Sequence, residues 1–147
     1  MNDKIVKFSL ILFLFIVSSC SNKSPVFGEN GMVVSTSRHA SQVGIDILQA
    51  GGNAIDAAIA VGFALSVSHP SAGNIGGGGF MLIRFADGTS TSIDFREVAP
   101  LYSHRDMYLD ENGNVIEGMS WSSSLSSGVP GTIAGFGYAH NKYGTMP

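Results

Sequence analysis

The sequence predicts an α+β fold. Two helical patterns flank Gly51-Gly52, two β-like runs flank Asp87-Gly88, and the whole order reads strand, helix pair, hairpin, hairpin, helix. Helices this apolar need a sheet or another helix to bury against. Composition narrows the class further. Of 147 residues, 13% are charged and 44% hydrophobic, with 19 Gly, which excludes a charged disordered tail and a heptad coiled coil. A net charge of −3 leaves no basic surplus for nucleic acid. The single Cys cannot build a disulfide framework or a multi-thiolate zinc site.

The first twenty residues form a separate object. Lys4 and Lys7 precede Phe8–Val17, an apolar run broken only by Ser9, and Ser18, Ser19 and Cys20 follow. A basic start, a short apolar core and small residues make a secretory signal, and the core is too short to span a bilayer, which needs about 20 residues. Val17-Ser18-Ser19-Cys20 resembles the lipobox of bacterial lipoproteins, in which the Cys is lipidated, with Val in place of the usual Leu. By that resemblance, Ser21 rather than Asp directs the protein away from inner-membrane retention. The alternative is an ordinary signal peptide with an incidental Cys. The expected location is exported and periplasmic, with a lipid anchor in the outer membrane. Residues 21–30 read as a tether.

The body starts at Gly31. Met32–Ser35 is a short β-like run. Ala40, Val43, Ile47 and Ala50 recur at helical spacing, and Gly51-Gly52 ends the helix by admitting a left-handed cap. Asn53 is placed to cap a second helix, with Asp56 in its first turn near the positive dipole end. Ala54–Val67 is apolar on nearly every side and is expected to be buried all round; Pro70 stops it.

After a glycine-rich stretch, Phe80–Phe85 and Ser90–Arg96 read as the arms of a hairpin. In the second arm Thr91, Ile93 and Phe95 share one face, and Ser92, Asp94 and Arg96 the other. Asn112-Gly113 predicts a second hairpin joining Met107–Leu109 to Val115-Ile116. Ser120–Ser127 reads as a loop and Val129-Pro130-Gly131 as a turn. Thr132–Tyr143 reads as a helix weakened by Gly135 and Gly137. The chain stops at Gly144-Thr145-Met146-Pro147 without a polar tail, which reads as a chain cut short.

Most chemical motifs fail on inspection. Gly76–Gly79 is followed by Phe80 and Met81, not by the Lys and hydroxyl residue of a phosphate loop. It also lies between a helix and a strand, the reverse of a dinucleotide-binding turn. Two readings remain for it: backbone packed tightly against something bulky, or a loop touching a ligand. The four His residues, His39, His69, His104 and His140, show no zinc-hydrolase spacing. Asp110-Glu111-Asn112-Gly113-Asn114 places its Gly too early for a calcium loop and fits a turn better. No nucleophile-elbow motif is present. Arg96 is the most informative charge. Its planar fork matches a carboxylate, and the competing reading is a surface Arg paired with Asp94 or Glu97.

Four ordered runs carry a family resemblance. They are Gln42-Val43-Gly44 with Gly51-Gly52-Asn53-Ala54-Ile55-Asp56-Ala57-Ala58, His69–Met81, Asp94-Phe95-Arg96-Glu97-Val98-Ala99-Pro100, and Ser127-Gly128-Val129-Pro130-Gly131-Thr132 with Lys142-Tyr143-Gly144. Together they resemble the N-terminal part of the large subunit of the γ-glutamyltranspeptidases (glutathione hydrolases), over about Gly31 to Pro147. The resemblance implies an N-terminal nucleophile hydrolase fold, an αββα sandwich of which only the first part lies in residues 31–147. It implies a precursor that cuts itself and exposes a Thr, whose hydroxyl attacks the γ-glutamyl amide with its own α-amine as base. Glutathione or another γ-glutamyl compound is the donor. Water or an amino acid or peptide is the acceptor, the small subunit of the same precursor is the partner, and no cofactor is needed. By position in Phe95-Arg96-Glu97, Arg96 matches the Arg that holds the donor's α-carboxylate.

The family's catalytic Thr and its flanking signature are absent from this sequence, so no catalytic residue is assigned here. The 147-residue chain is expected to be inactive alone and poorly stable, with apolar sheet edges exposed. Two alternatives stand beside this reading. One is a β-lactam acylase of the same superfamily. The other is a non-enzymatic exported lipoprotein derived from a decayed enzyme gene.

Overall fold

The computed structural model describes residues 24–73 and 75–147. The signal segment, the lipobox-like end and Cys20 lie outside the described residues. Residues 24–30 are exposed and carry neither helix nor strand.

Helix α1 spans Arg38–Gln49 and begins two residues before the apolar repeat does, because Ser37 caps it. The Ser37 hydroxyl accepts from the Ala40 N–H at 3.4 Å, satisfying one of the donors a helix start leaves free. Gly51 ends the turn at φ +94°, the left-handed geometry expected of a glycine there. Met32–Ser35 forms no strand, contrary to expectation. No strand lies beside it among the described residues. Val33 instead lies over α1 where Gly44 leaves room: a methyl group on Gly44 would meet Val33 Cγ1 at 2.8 Å and Val61 Cγ2 at 2.7 Å.

Helix α2 spans Ala54–Ser68 and opens with a reciprocal capping box. Asn53 Oδ1 accepts from the Ile55 and Asp56 N–H groups at 2.8 and 3.1 Å, and Asp56 Oδ2 accepts from the Asn53 N–H at 2.9 Å. The expectation of burial on every face fails. Ala57 and Val61 are buried, but Phe63 is partly open and Val67 is 82% exposed. Hydropathy that is uniform around a helix cannot say which face is covered, and among the described residues nothing covers this one.

Strands β1 (Phe80–Arg84) and β2 (Ser90–Asp94) pair antiparallel, with Met81 opposite Ile93 and Ile83 opposite Thr91. Both end one or two residues earlier than predicted, although Phe95 still exchanges backbone bonds with Gly79 at 3.0 and 3.4 Å. The alternation holds. Ile83 and Ile93 form a core with Ala139, joined by Ile55, Ile59, Met81, Phe85, Phe95 and Tyr143. Phe80 and Leu82 point to the opposite face and stay exposed, Leu82 by 84%.

The segment after β2 is less regular than predicted. The second hairpin shrinks to one bridge, Leu109 to Val115, because the Asp110 carboxylate collects the Asn112 and Asn114 N–H groups at 2.9 and 2.8 Å and tightens the turn. The Ser-rich stretch is not a plain loop. It forms a single helical turn, α3 (Met119–Ser122), then a 3-10 turn at Ser124–Ser126. Serine hydroxyls back-bond to carbonyls there, as with Ser122 to Gly118 at 2.7 Å and Ser126 to Ser123 at 2.6 Å. Helix α4 spans Thr132–Tyr143 as predicted.

The glycine that weakens α4 on paper has a packing reason. The Phe95 ring occupies the space a side chain at Gly135 would need. Phe136 then meets Phe95 edge-on, with ring centroids 5.8 Å apart, and Phe63 at 5.5 Å. Thus α2 and α4 lie on one face of the hairpin and share its core. Among the described residues, no helix is long and apolar enough to cross a membrane.

Candidate functional site

Arg96 lies two residues past the end of β2, and hydrogen bonds hold the backbone at Phe95, Arg96 and Val98. Phe95 is tied to Gly79 as above. The Arg96 N–H donates to Asp94 Oδ1 at 2.9 Å, an Asx turn that bends the chain out of the strand. Val98 bridges Val129, with N–H to O distances of 3.3 and 2.8 Å. The Phe95 ring anchors the segment from below among Gly79, Gly135 and Phe136.

Among the described residues the guanidinium has one ion-pair partner. The Arg96 side chain is 69% exposed, and its ion-pair partner is Glu97, with Nε to Oε2 at 3.7 Å. An exposed pair at that distance is worth about 0–1 kcal/mol, so it orients the group weakly and leaves the terminal nitrogens open to a planar anion. Of the two partners expected for a surface Arg, Glu97 reaches the guanidinium, while the Asp94 contact is to the Arg96 backbone. Glu97 also rests on Gly128, whose added methyl would meet Glu97 Cβ at 3.2 Å.

A cavity of about 290 Å³ opens beside this segment, bordered by Glu97, Val98, Ser103, Tyr108, Leu125 and Ser127. It has a carboxylate and hydroxyls in its wall. A second cavity, about 340 Å³, lies between α2 and α4 among Ile59, Phe63, Ile133, Phe136 and His140. Its wall carries no carboxylate, and Arg96 lines neither cavity. Among the described residues no three His, Cys, Asp or Glu side chains gather where they could hold a metal ion.

The glycine run resolves between its two readings as packing. Gly78 lies against the Phe95–Glu97 backbone, and the Gly77 carbonyl accepts from the Gly131 and Thr132 N–H groups at 2.9 and 3.1 Å. Sequence reasoning singled out Arg96 but missed Asp94 as the residue that turns its backbone. The signal was available: an Asp two residues before the charge of interest, at a strand end.

Residues 40–147 match the family model described as gamma-glutamyltranspeptidase. The chain belongs to this family. It is 60% identical over 123 residues to a glutathione hydrolase proenzyme of Escherichia coli, covering 84% of this chain and 21% of that protein. Among solved structures it is similar to the Helicobacter pylori gamma-glutamyltranspeptidase, with TM-score 0.78 and 49% identity over 84% of this chain and 35% of that one. A cephalosporin acylase from Bacillus halodurans is also similar, with TM-score 0.71 and 30% identity over 87% of this chain and 23% of that one. The chain therefore spans about a fifth of the length of the E. coli relative. Membership settles the fold: the α+β class and the N-terminal nucleophile hydrolase fold both hold, and the described residues supply a hairpin and the helices on one of its faces.

Proposed function

We propose that this chain is the N-terminal part of the large subunit of a self-processing γ-glutamyl hydrolase and transferase, and that Arg96 holds the α-carboxylate of the donor. The observation that carries the reading is Arg96 itself: a fixed backbone, a largely exposed guanidinium and a family match through its motif. A guanidinium binds a carboxylate through two parallel charge-assisted hydrogen bonds. It does no bond chemistry. In this reading the nucleophile is a Thr exposed by self-cleavage in the rest of the precursor, with the Thr α-amine as base. The acyl-enzyme passes the γ-glutamyl group to water, an amino acid or a peptide, and glutathione is the donor. No cofactor enters. The 147-residue chain alone is inactive, since the nucleophile is not in it.

The test is Arg96→Ala in the self-cleaved proenzyme. We expect the KM for glutathione to rise about tenfold or more, the equivalent of a lost charged hydrogen bond, with self-cleavage intact. An unchanged KM sinks the assignment. The acylase likeness motivates a second reading, in which the donor is a β-lactam side-chain amide. A cephalosporin cleaved faster than glutathione by the wild-type enzyme decides for it.

Export and anchoring belong to the same proposal. Residues 1–20 act as the signal, and Cys20 takes the lipid that holds the protein at the periplasmic side of the outer membrane. Support comes from the basic start, the apolar core and the Val17-Ser18-Ser19-Cys20 run. Radiolabelled palmitate is expected in the wild-type protein and absent from Cys20→Ala; equal labelling of both overturns it.

A further inference from the structure

We infer that Gly78 of the glycine run and Gly131 position Arg96: the two grip the Phe95–Glu97 backbone, and Asp94 sets the turn. The inference rests on the reading of Arg96 as the donor-binding residue. A methyl group built on Gly78 would sit 2.5 Å from the Phe95 carbonyl oxygen, 2.7 Å from Glu97 N and 2.9 Å from Arg96 C. All three are backbone atoms, which cannot swing aside as a side-chain tip can. A methyl group on Gly131 would run into the same Phe95 carbonyl oxygen and lie 2.8 Å from its carbon.

The two jaws are joined. The Gly77 carbonyl accepts from the Gly131 and Thr132 N–H groups at 2.9 and 3.1 Å, so the run and the start of α4 form one frame around the segment. Asp94 acts from outside, its Oδ1 holding the Arg96 N–H at 2.9 Å. Only glycines let two backbones come this close. The chemistry explains the effort. An exposed Arg has many rotamers and one weak partner, Glu97. Fixing its Cα and peptide plane is the remaining way to aim the fork at a small carboxylate, and a misplacement of about 1 Å is costly to a positioned group.

The experiment uses the self-cleaved proenzyme and four variants. Gly78→Ala is expected to raise the KM for glutathione about tenfold while kcat for bound donor changes much less. Asp94→Ala, a surface change with little folding risk, is expected to raise KM about threefold, and Asp94→Asn, which keeps the amide oxygen as acceptor, to restore it. Arg96→Ala is the reference.

If Arg96→Ala moves KM while Gly78→Ala and Asp94→Ala do not, the positioning inference is wrong and the Arg96 reading stands. If Arg96→Ala leaves KM unchanged, both fall. If Gly78→Ala prevents folding, the Asp94 pair decides: a raised KM restored by Asn supports the inference, and equal KM values for Ala, Asn and wild type overturn it. A fall in kcat with KM unmoved also overturns it, because general damage rather than donor alignment would be at work.

Discussion

Two tight places hold this molecule together, and they work by opposite means. Around Phe95 the side-chain contacts are shape alone: a ring wedged among Gly79, Gly135 and Phe136, with Phe136 edge-on to Phe63. Around Asp56 they are charge and hydrogen bonds. Asp56 is 5% exposed. It accepts from the Asn53 N–H, from the Thr145 hydroxyl at 2.7 Å and from the Thr145 N–H at 3.1 and 3.2 Å, while Asn53 Nδ2 donates to the Tyr143 carbonyl at 2.6 Å. His140 Nε2 stands 3.8 Å from the same carboxylate. One place tolerates no added volume and ignores pH. The other accepts modest change of shape but depends on ionisation. The first ties the end of β2 to α4 and the second ties α2 to the residues just after α4, so losing either loosens the seam along α4.

The largest expected effect breaks the first place. Phe95→Ala removes the ring that α4 and the glycine run pack on, and large-to-small aromatic changes in a core cost about 3–5 kcal/mol. Phe95 is only partly buried, so about 3 kcal/mol is expected, read as a lower denaturant midpoint at constant slope. A change under about 1 kcal/mol would show that the aromatic interlock adds little to the seam.

Asp56→Asn tests the second place and its pH sign. Burial alone would raise the Asp56 pKa, but the Thr145 hydroxyl and the N–H groups of Asn53 and Thr145 outweigh it and hold the carboxyl below its ordinary value of 3.8. A group whose folded pKa is depressed stabilises fully above the unfolded value and loses that contribution as pH falls through the folded one. The wild type is therefore expected to exceed Asp56→Asn by about 2 kcal/mol near neutrality. The gap should close on acidification below about pH 4. Chemical denaturation of both proteins across that range checks it, and a gap that persists into strong acid would mean that shape, not charge, fixes this corner as well.

The two places were unequally legible in the sequence. Helix α2, its cap at Asn53 and the hairpin at Asp87-Gly88 follow from local chemistry, because a capping box and an Asp-Gly turn are settled within a few residues. The Asp56–Thr145 clamp was not legible, since its partners stand 89 residues apart. Gly135 read as a helix defect and is a seat for Phe95; a missing side chain carries no sign of what fills its place. Met32–Ser35 has strand composition and no strand, because β-propensity needs a partner that local sequence does not name. The exposed faces of α2 and β1, with Val67 and Leu82 open, mislead for the same reason. Arg96 was singled out through its motif, while residue type alone favoured a surface ion pair, and its contact with Glu97 is such a pair.

The smallest expected effect sharpens the contrast by supplying a third kind of contact, one that is neither wedged nor buried. Glu97 meets Arg96 at 3.7 Å with both side chains open to solvent, 40% and 69% exposed. Coulomb attraction there is screened, and two long side chains must be ordered to make it. Glu97→Gln is thus expected to change stability by about 0–1 kcal/mol, and 1 M salt, with a screening length of about 3 Å, should erase the difference. Thermal melts of both proteins at low and high salt measure it. If Glu97→Gln instead matches Asp56→Asn in cost and resists salt, Glu97 is part of the frame, and the guanidinium of Arg96 is held from its own side chain as well as from its backbone. The expected outcome leaves the ion pair as a loose one that an incoming carboxylate can displace at little cost, which the role proposed for Arg96 requires.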